Sequence, residues 1–168
     1  GHGQLQWDGT SHPLIRNLDP EPHTIHGIGW ERPWTVLEST DNSALLSMEH
    51  HADAAWPFDF DCSQTFRLGD GTLDLGLSVT NQGSSPAPVG LGWHPYFVKR
   101  AGATVQFAAT GRWEMAADKL PTHRAPHAGL DQSTDTVPTE TLVYSNVVPP
   151  SINRTTVDQV DTYASISA

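Results

Sequence analysis

Phe58-Asp59-Phe60-Asp61-Cys62-Ser63-Gln64-Thr65-Phe66-Arg67-Leu68 is followed by Gly69-Asp70-Gly71 and then by Thr72-Leu73-Asp74-Leu75-Gly76-Leu77-Ser78-Val79-Thr80. In the first run Phe58, Phe60, Cys62, Phe66 and Leu68 fall on one face, and Asp59, Asp61, Ser63, Thr65 and Arg67 on the other. A two-residue period of this kind is a strand with one wet face. Gly69-Asp70-Gly71 supplies residues that tolerate positive φ, as a tight turn requires. The second run alternates again, with Leu73, Leu75, Leu77 and Val79 on its apolar side. The pair reads as a β-hairpin.

Outward from the hairpin the pattern continues. Thr35-Val36-Leu37-Glu38 and Ala44 to Glu49 read as two more strands joined by Ser39-Thr40-Asp41-Asn42. Asn81 to Pro88 is a loop, Val89 to Val98 an extended segment, and Ala103 to Ala109 a further strand. Short strands separated by turns, with almost no helical period, predict an all-β fold of antiparallel sheets, a sandwich or barrel. Pro121 to Thr141 is polar and reads as loop. The tail from Ser145 to Ala168 lacks Trp, Phe and Leu, so it is a poor source of core, although it could pair at a sheet edge. The expectation is a single domain over residues 1–168, with a well-formed part to residue 119 and a loop-rich part from 120 to 168. The sheets of the first hundred residues lack their partners, and the chain reads as incomplete.

Composition narrows the function classes. The chain has 168 residues, 37% hydrophobic and 17% charged, with six Trp, which is globular rather than disordered. The net charge is −10 and the nine basic residues are scattered, which excludes a general nucleic-acid binder. No apolar run reaches the ~20 residues of a membrane span, and no secretory signal pattern opens the chain. A single cysteine, Cys62, allows no intrachain disulfide and suits a reducing, cytoplasmic setting.

The densest chemical constellation is Gly90-Leu91-Gly92-Trp93-His94-Pro95-Tyr96-Phe97. In an extended chain His94 and Tyr96 share a face, and Pro95 restricts His94 to extended conformations while removing a ladder donor. A histidine so fixed beside a phenol can act as a general acid near neutral pH. It can equally be a half-buried strand-end residue, and spacing alone does not choose. The second constellation is His23-Thr24-Ile25-His26-Gly27-Ile28-Gly29-Trp30-Glu31-Arg32-Pro33-Trp34. Indole faces stack on the C–H faces of sugar rings while His and Arg reach hydroxyls. His23 reads as a surface loop residue and Trp34 as core. A third arrangement, a metal site from His50, His51 and His94, is disfavoured because adjacent strand residues face opposite ways.

Taken in order, His26-Gly27 ahead of Trp34, Trp56-Pro57-Phe58, Asn81 closing a strand, and Gly92-Trp93-His94-Pro95-Tyr96-Phe97 resemble the aldose 1-epimerase (galactose mutarotase) family. The resemblance covers roughly Gln4 to Phe97. It implies an antiparallel β-sandwich with an aldohexose such as galactose or glucose lying across a concave sheet, and no metal or organic cofactor. It implies that a carboxylate takes the anomeric hydroxyl proton while a His protonates the ring oxygen. The ring opens and recloses as the other anomer. On this resemblance His94 matches the acid and His26 the second histidine, which orients the sugar. Tyr96 and, more distantly, Asp158 are matched to substrate binding.

The family's base is a late Glu in a Glu-Pro setting. Beyond Glu114 this chain has only Glu140, within Thr139-Glu140-Thr141, which does not match. The expectation is therefore little or no mutarotase activity in this chain. Two alternatives stand beside it, a non-catalytic carbohydrate-binding domain on the same scaffold and a hexose-phosphate 1-epimerase. The latter would need its phosphate held by Arg16, Arg32, Lys99 and Arg100.

Overall fold

The computed structural model describes residues 1–93, 104–133, 142–145 and 162–166. Every regular element among them is a strand, so the all-β expectation holds. The chain divides into two compact units, Gly1–Val89 and Gly90–Ala168.

In the first unit, β1 (Gln4–Trp7) and β2 (Thr10–Pro13) form a small antiparallel hairpin. β3 (Thr35–Ser39), β4 (Ser43–His50), β5 (Phe60–Gly69) and β6 (Thr72–Asn81) form a four-stranded antiparallel sheet in chain order. β5 and β6 are the hairpin the alternation predicts, in continuous register from Phe60↔Asn81 to Gly69↔Thr72. Asp70 and Gly71 turn the chain with φ of 36° and 77°. Two consecutive positive values match the right-handed twist of the strands, and Gly71 takes its value without a Cβ clash. Asp8 and Gly9 do the same between β1 and β2, at 48° and 73°.

The apolar faces register across this sheet. Met48 lies opposite Cys62 and Cys62 opposite Val79; Ala44 lies opposite Phe66 and Phe66 opposite Leu75. Met48 and Cys62 are buried there, and Ile28 from the preceding loop is buried as well. Towards the turn the same face opens, with Leu68 and Leu73 both more than half exposed. β3 pairs with β4 through a bulge between Val36 and Glu38. The loop after β6 is closed by Asn81, whose Nδ2 donates to the Ser85 carbonyl at 2.8 Å while its Oδ1 accepts from Gly83 N–H at 2.9 Å. Trp7 Nε1 donates to the Pro86 carbonyl at 3.1 Å, tying the β1–β2 hairpin to that loop.

In the second unit, β7 (Leu91–Trp93), β8 (Thr104–Ala108), β9 (Gly111–Met115), β10 (Pro121–Ala125), β11 (Gly129–Ser133), β12 (Leu142–Ser145) and β13 (Thr162–Ile166) make two sheets. One has the order β10-β9-β12-β13-β7 and the other pairs β11 with β8. Here the structure differs from the sequence reading. Residues 121–133 contain two strands rather than a continuous loop, because β10 and β11 gain ladder partners in β9 and β8 without needing an apolar alternation. The tail segment β13 does not sit at an edge either; it lies between β12 and β7, parallel to β7.

Candidate active site

His26 owes its position to local chain geometry. Its φ is 58° and that of Gly27 is 63°, the same consecutive left-handed pair that makes the two hairpin turns. A non-glycine residue pays steric strain for this conformation, so something must hold it. The Asn17 carboxamide does so from both sides. Its Nδ2 donates to the Ile25 carbonyl at 2.8 Å and to the Gly27 carbonyl at 3.3 Å, and its Oδ1 accepts from Ile25 N–H at 2.9 Å. Thr24 Oγ1 adds a bond to the Ile15 carbonyl at 2.9 Å, lacing the two loop segments together. Ile28 then turns inward, 4% exposed, while His26 is exposed.

Two indoles complete the loop. Trp30 Nε1 donates to the Gly27 carbonyl at 3.0 Å, and Trp34 Nε1 to the Gly29 carbonyl at 2.8 Å. The Trp30 ring stands edge-on to His26, centroids 6.1 Å apart at 84°. Trp30 remains 52% exposed, whereas Trp34 is half-buried, short of the core position expected for it. An exposed flat apolar face therefore stands next to an imidazole that can donate or accept a hydrogen bond.

Behind this loop Arg32 pairs with Asp53 at 2.6 Å. Asp53 Oδ1 accepts from Ala55 N–H at 2.8 Å and Trp56 N–H at 3.0 Å. The Trp56 N–H chiefly, helped by that of Ala55 and by the Arg32 charge, holds the Asp53 carboxyl below its ordinary value against desolvation, the second-largest influence. His50 reaches the Trp56 carbonyl with Nε2 at 2.8 Å and lies beside Phe60. Its side chain is 5% exposed and that of its neighbour His51 is 92% exposed, so the two face opposite ways.

His23 corrects the sequence reading. It is buried, because its Nδ1 accepts from His2 N–H at 2.9 Å and its ring packs edge-on to His2 at 4.6 Å. His94, Tyr96 and Asp158 lie outside the described residues. The described chain reaches Trp93, half-buried at the end of β7, where Leu91, Gly92 and Trp93 pair with Thr162, Tyr163 and Ala164. Of the basic residues weighed for a phosphate, Arg32 is engaged by Asp53, and Lys99 and Arg100 also lie outside the described residues. Sequence reasoning missed Asn17, since an isolated Asn in a loop signals hydrogen bonding to nearby backbone without naming the partner.

The family description aldose 1-epimerase matches residues 1–153. YphB, an uncharacterized protein of Escherichia coli strain K12, is 37% identical over 107 residues, which is 64% of this chain and 36% of that protein. The crystal structure of an Escherichia coli K12 protein provisionally assigned as an aldose 1-epimerase is similar with a TM-score of 0.67 and 28% identity. That match covers 88% of this chain and 54% of the other. The chain thus spans about half or less of these relatives. It belongs to the aldose 1-epimerase family. Its fold is accordingly the antiparallel β-sandwich type expected from the strand pattern.

Proposed function

We propose that the site serves the anomeric interconversion of an aldohexose such as galactose or glucose, with His26 as a sugar-orienting group and His94 as the acid. Tyr96 and Asp158 are assigned to substrate binding on the resemblance alone, and the setting is cytoplasmic. The observation that carries the reading is the His26 turn, in which a strained, exposed imidazole is braced beside an exposed indole.

In the proposed reaction a proton leaves the anomeric hydroxyl as the C1–O5 bond breaks, and O5 takes a proton from His94. Rotation about C1–C2 and the reverse transfers give the other anomer. Each positioned proton transfer contributes about 10²–10⁴-fold. His26 contributes by fixing the pyranose, since misplacing a reacting group by ~1 Å is enough to lose about 10² in rate. The only Glu beyond Glu114 is Glu140, outside the described residues and in a setting unlike the family's base. With no matching Glu within these 168 residues, the base is left to water when this stretch is assayed alone, and sugar binding with slow turnover is the expected behaviour.

Polarimetry of α-glucose and α-galactose in the presence of the purified chain tests the rate. Titration of the same sugars against its tryptophan fluorescence tests binding. Saturable binding with anomer exchange near the solvent rate is the expected result. Rapid exchange would reject the missing-base argument, and absence of binding would reject the site. His94→Ala, made in a chain that does catalyse, should reduce turnover; unchanged turnover would remove His94 as the acid.

A further inference from the structure

The side chain that holds the His26 turn is that of Asn17. Asn17 lies outside every motif that carries the family resemblance, yet its carboxamide contacts the backbone immediately before and immediately after His26. The donor group spans the Ile25 and Gly27 carbonyls, and the acceptor takes the Ile25 N–H. A left-handed histidine relaxes towards ordinary φ once such restraints are lost. Relaxation there rotates the Cα–Cβ direction of His26 and swings the imidazole away from its place beside Trp30. The Trp30 N–H shares the Gly27 carbonyl with Asn17, so the same carboxamide also sets the acceptor that fixes the indole.

We infer that Asn17 is a positioning residue for sugar binding, acting through His26 and the Trp30 face rather than by touching the sugar. This rests on the proposed function of the site. Asn suits the task because one short, planar group offers both a donor and an acceptor. Asp in its place would keep the acceptor for Ile25 N–H but set a carboxylate against two carbonyl oxygens. Ala would remove both.

The test is a double-mutant cycle on galactose affinity, using the full 168-residue chain and titration calorimetry as the signal. His26→Ala and Asn17→Ala should each weaken binding by about fivefold or more. The double variant should bind within about twofold of His26→Ala, because groups that act as one unit are non-additive. Asn17→Asp should weaken binding as well, because its carboxylate is repelled by the Ile25 and Gly27 carbonyls. Independent, multiplying effects would overturn the inference, as would full affinity in Asn17→Ala when His26→Ala is weakened. If His26→Ala binds galactose as well as the native chain, the functional reading fails at His26 and this inference falls with it. No binding by the native chain has the same consequence.

A structural readout stands apart from the ligand. Amide exchange at Ile25 should be slow in the native chain and fast in Asn17→Ala, while exchange across β5 and β6 stays unchanged. Should Asn17→Ala not fold, Asn17→Asp and the native Ile25 exchange decide the matter. An Ile25 amide that exchanges at open-loop rates in the native chain would overturn the inference.

Discussion

In the four-stranded sheet each strand pairs with its neighbour in sequence, and β5 and β6 share one unbroken register from end to end. In the five-stranded sheet two of the four pairings join distant segments. Among the described residues β12 meets β9 through Tyr144↔Arg112 and Ser145↔Gly111, and β13 meets β7 over Thr162–Ala164. Local ladders cost little loop entropy to close, whereas distant ones must recover a larger cost from fewer bonds. The segments that precede the two histidine motifs differ in the same way. His26 hangs from the first unit, and the strand leading to His94 is held by a short parallel pairing in the second. The first unit is therefore expected to be the more stably organised.

The largest effect should come from the core of the first sheet. Met48→Ala, at a buried position opposite Cys62, should cost about 2–5 kcal/mol. Chemical denaturation measures it, and an equal loss of amide protection in β9 and β10 would show that the two units do not unfold separately. Next, Ala164→Pro removes a ladder donor in the strand between β12 and β7. A cost of about 1–3 kcal/mol is expected. It should appear as faster exchange at Leu91–Trp93 with β5–β6 unchanged. Protection lost equally in both sheets would erase the contrast.

Smaller effects sharpen it. Asp53→Ala removes the acceptor of two backbone N–H groups and the partner of Arg32, for about 1 kcal/mol in the first unit. Because the folded carboxyl titrates below 3.8, its contribution is full above that value and lost as pH falls through the folded one. Acid titration of the native chain and of Asp53→Ala should therefore converge at low pH. Last, burial and then the Asp61 charge push the Cys62 thiol up to about 11 from 9.0. Between those values the unfolded chain ionises while the folded one keeps its proton, so stability falls as pH rises above 9.0. Cys62 should resist alkylation at pH 8 until the chain is denatured. Rapid native-state labelling would show that the first sheet opens more readily than its ladders suggest.

What the residues made legible follows the same division. Phe60, Cys62, Phe66, Leu73, Leu75 and Leu77 announce β5 and β6 because one face is apolar over many residues. β1 and β2 escape this reading, since Thr-Ser-His-Pro carries no such face; the cue was Asp8-Gly9, the same dipeptide as Asp70-Gly71. β10 and β11 escape it too, because they are polar and their partners, not their own pattern, make them strands. His26 was found through resemblance. Its outward display was not legible, because it depends on Asn17 closing a loop nine residues away and on a backbone angle that histidine seldom adopts. His23 was misread because burial of a lone imidazole depends on the His2 amide that satisfies it.

The two borders of the four-stranded sheet are unlike. At β3 the irregularity between Val36 and Glu38 interrupts the outward row of peptide groups and places a carboxylate beside it. At β6 the row is regular, flanked by exposed Leu73 and Leu75, and carries no further strand among the described residues. A foreign extended peptide would find a matching template on the second border and a mismatch on the first. By backbone regularity self-association of this chain should grow from β6, while at β3 the exposed Val36 and Leu37 leave the bulge as the main obstacle.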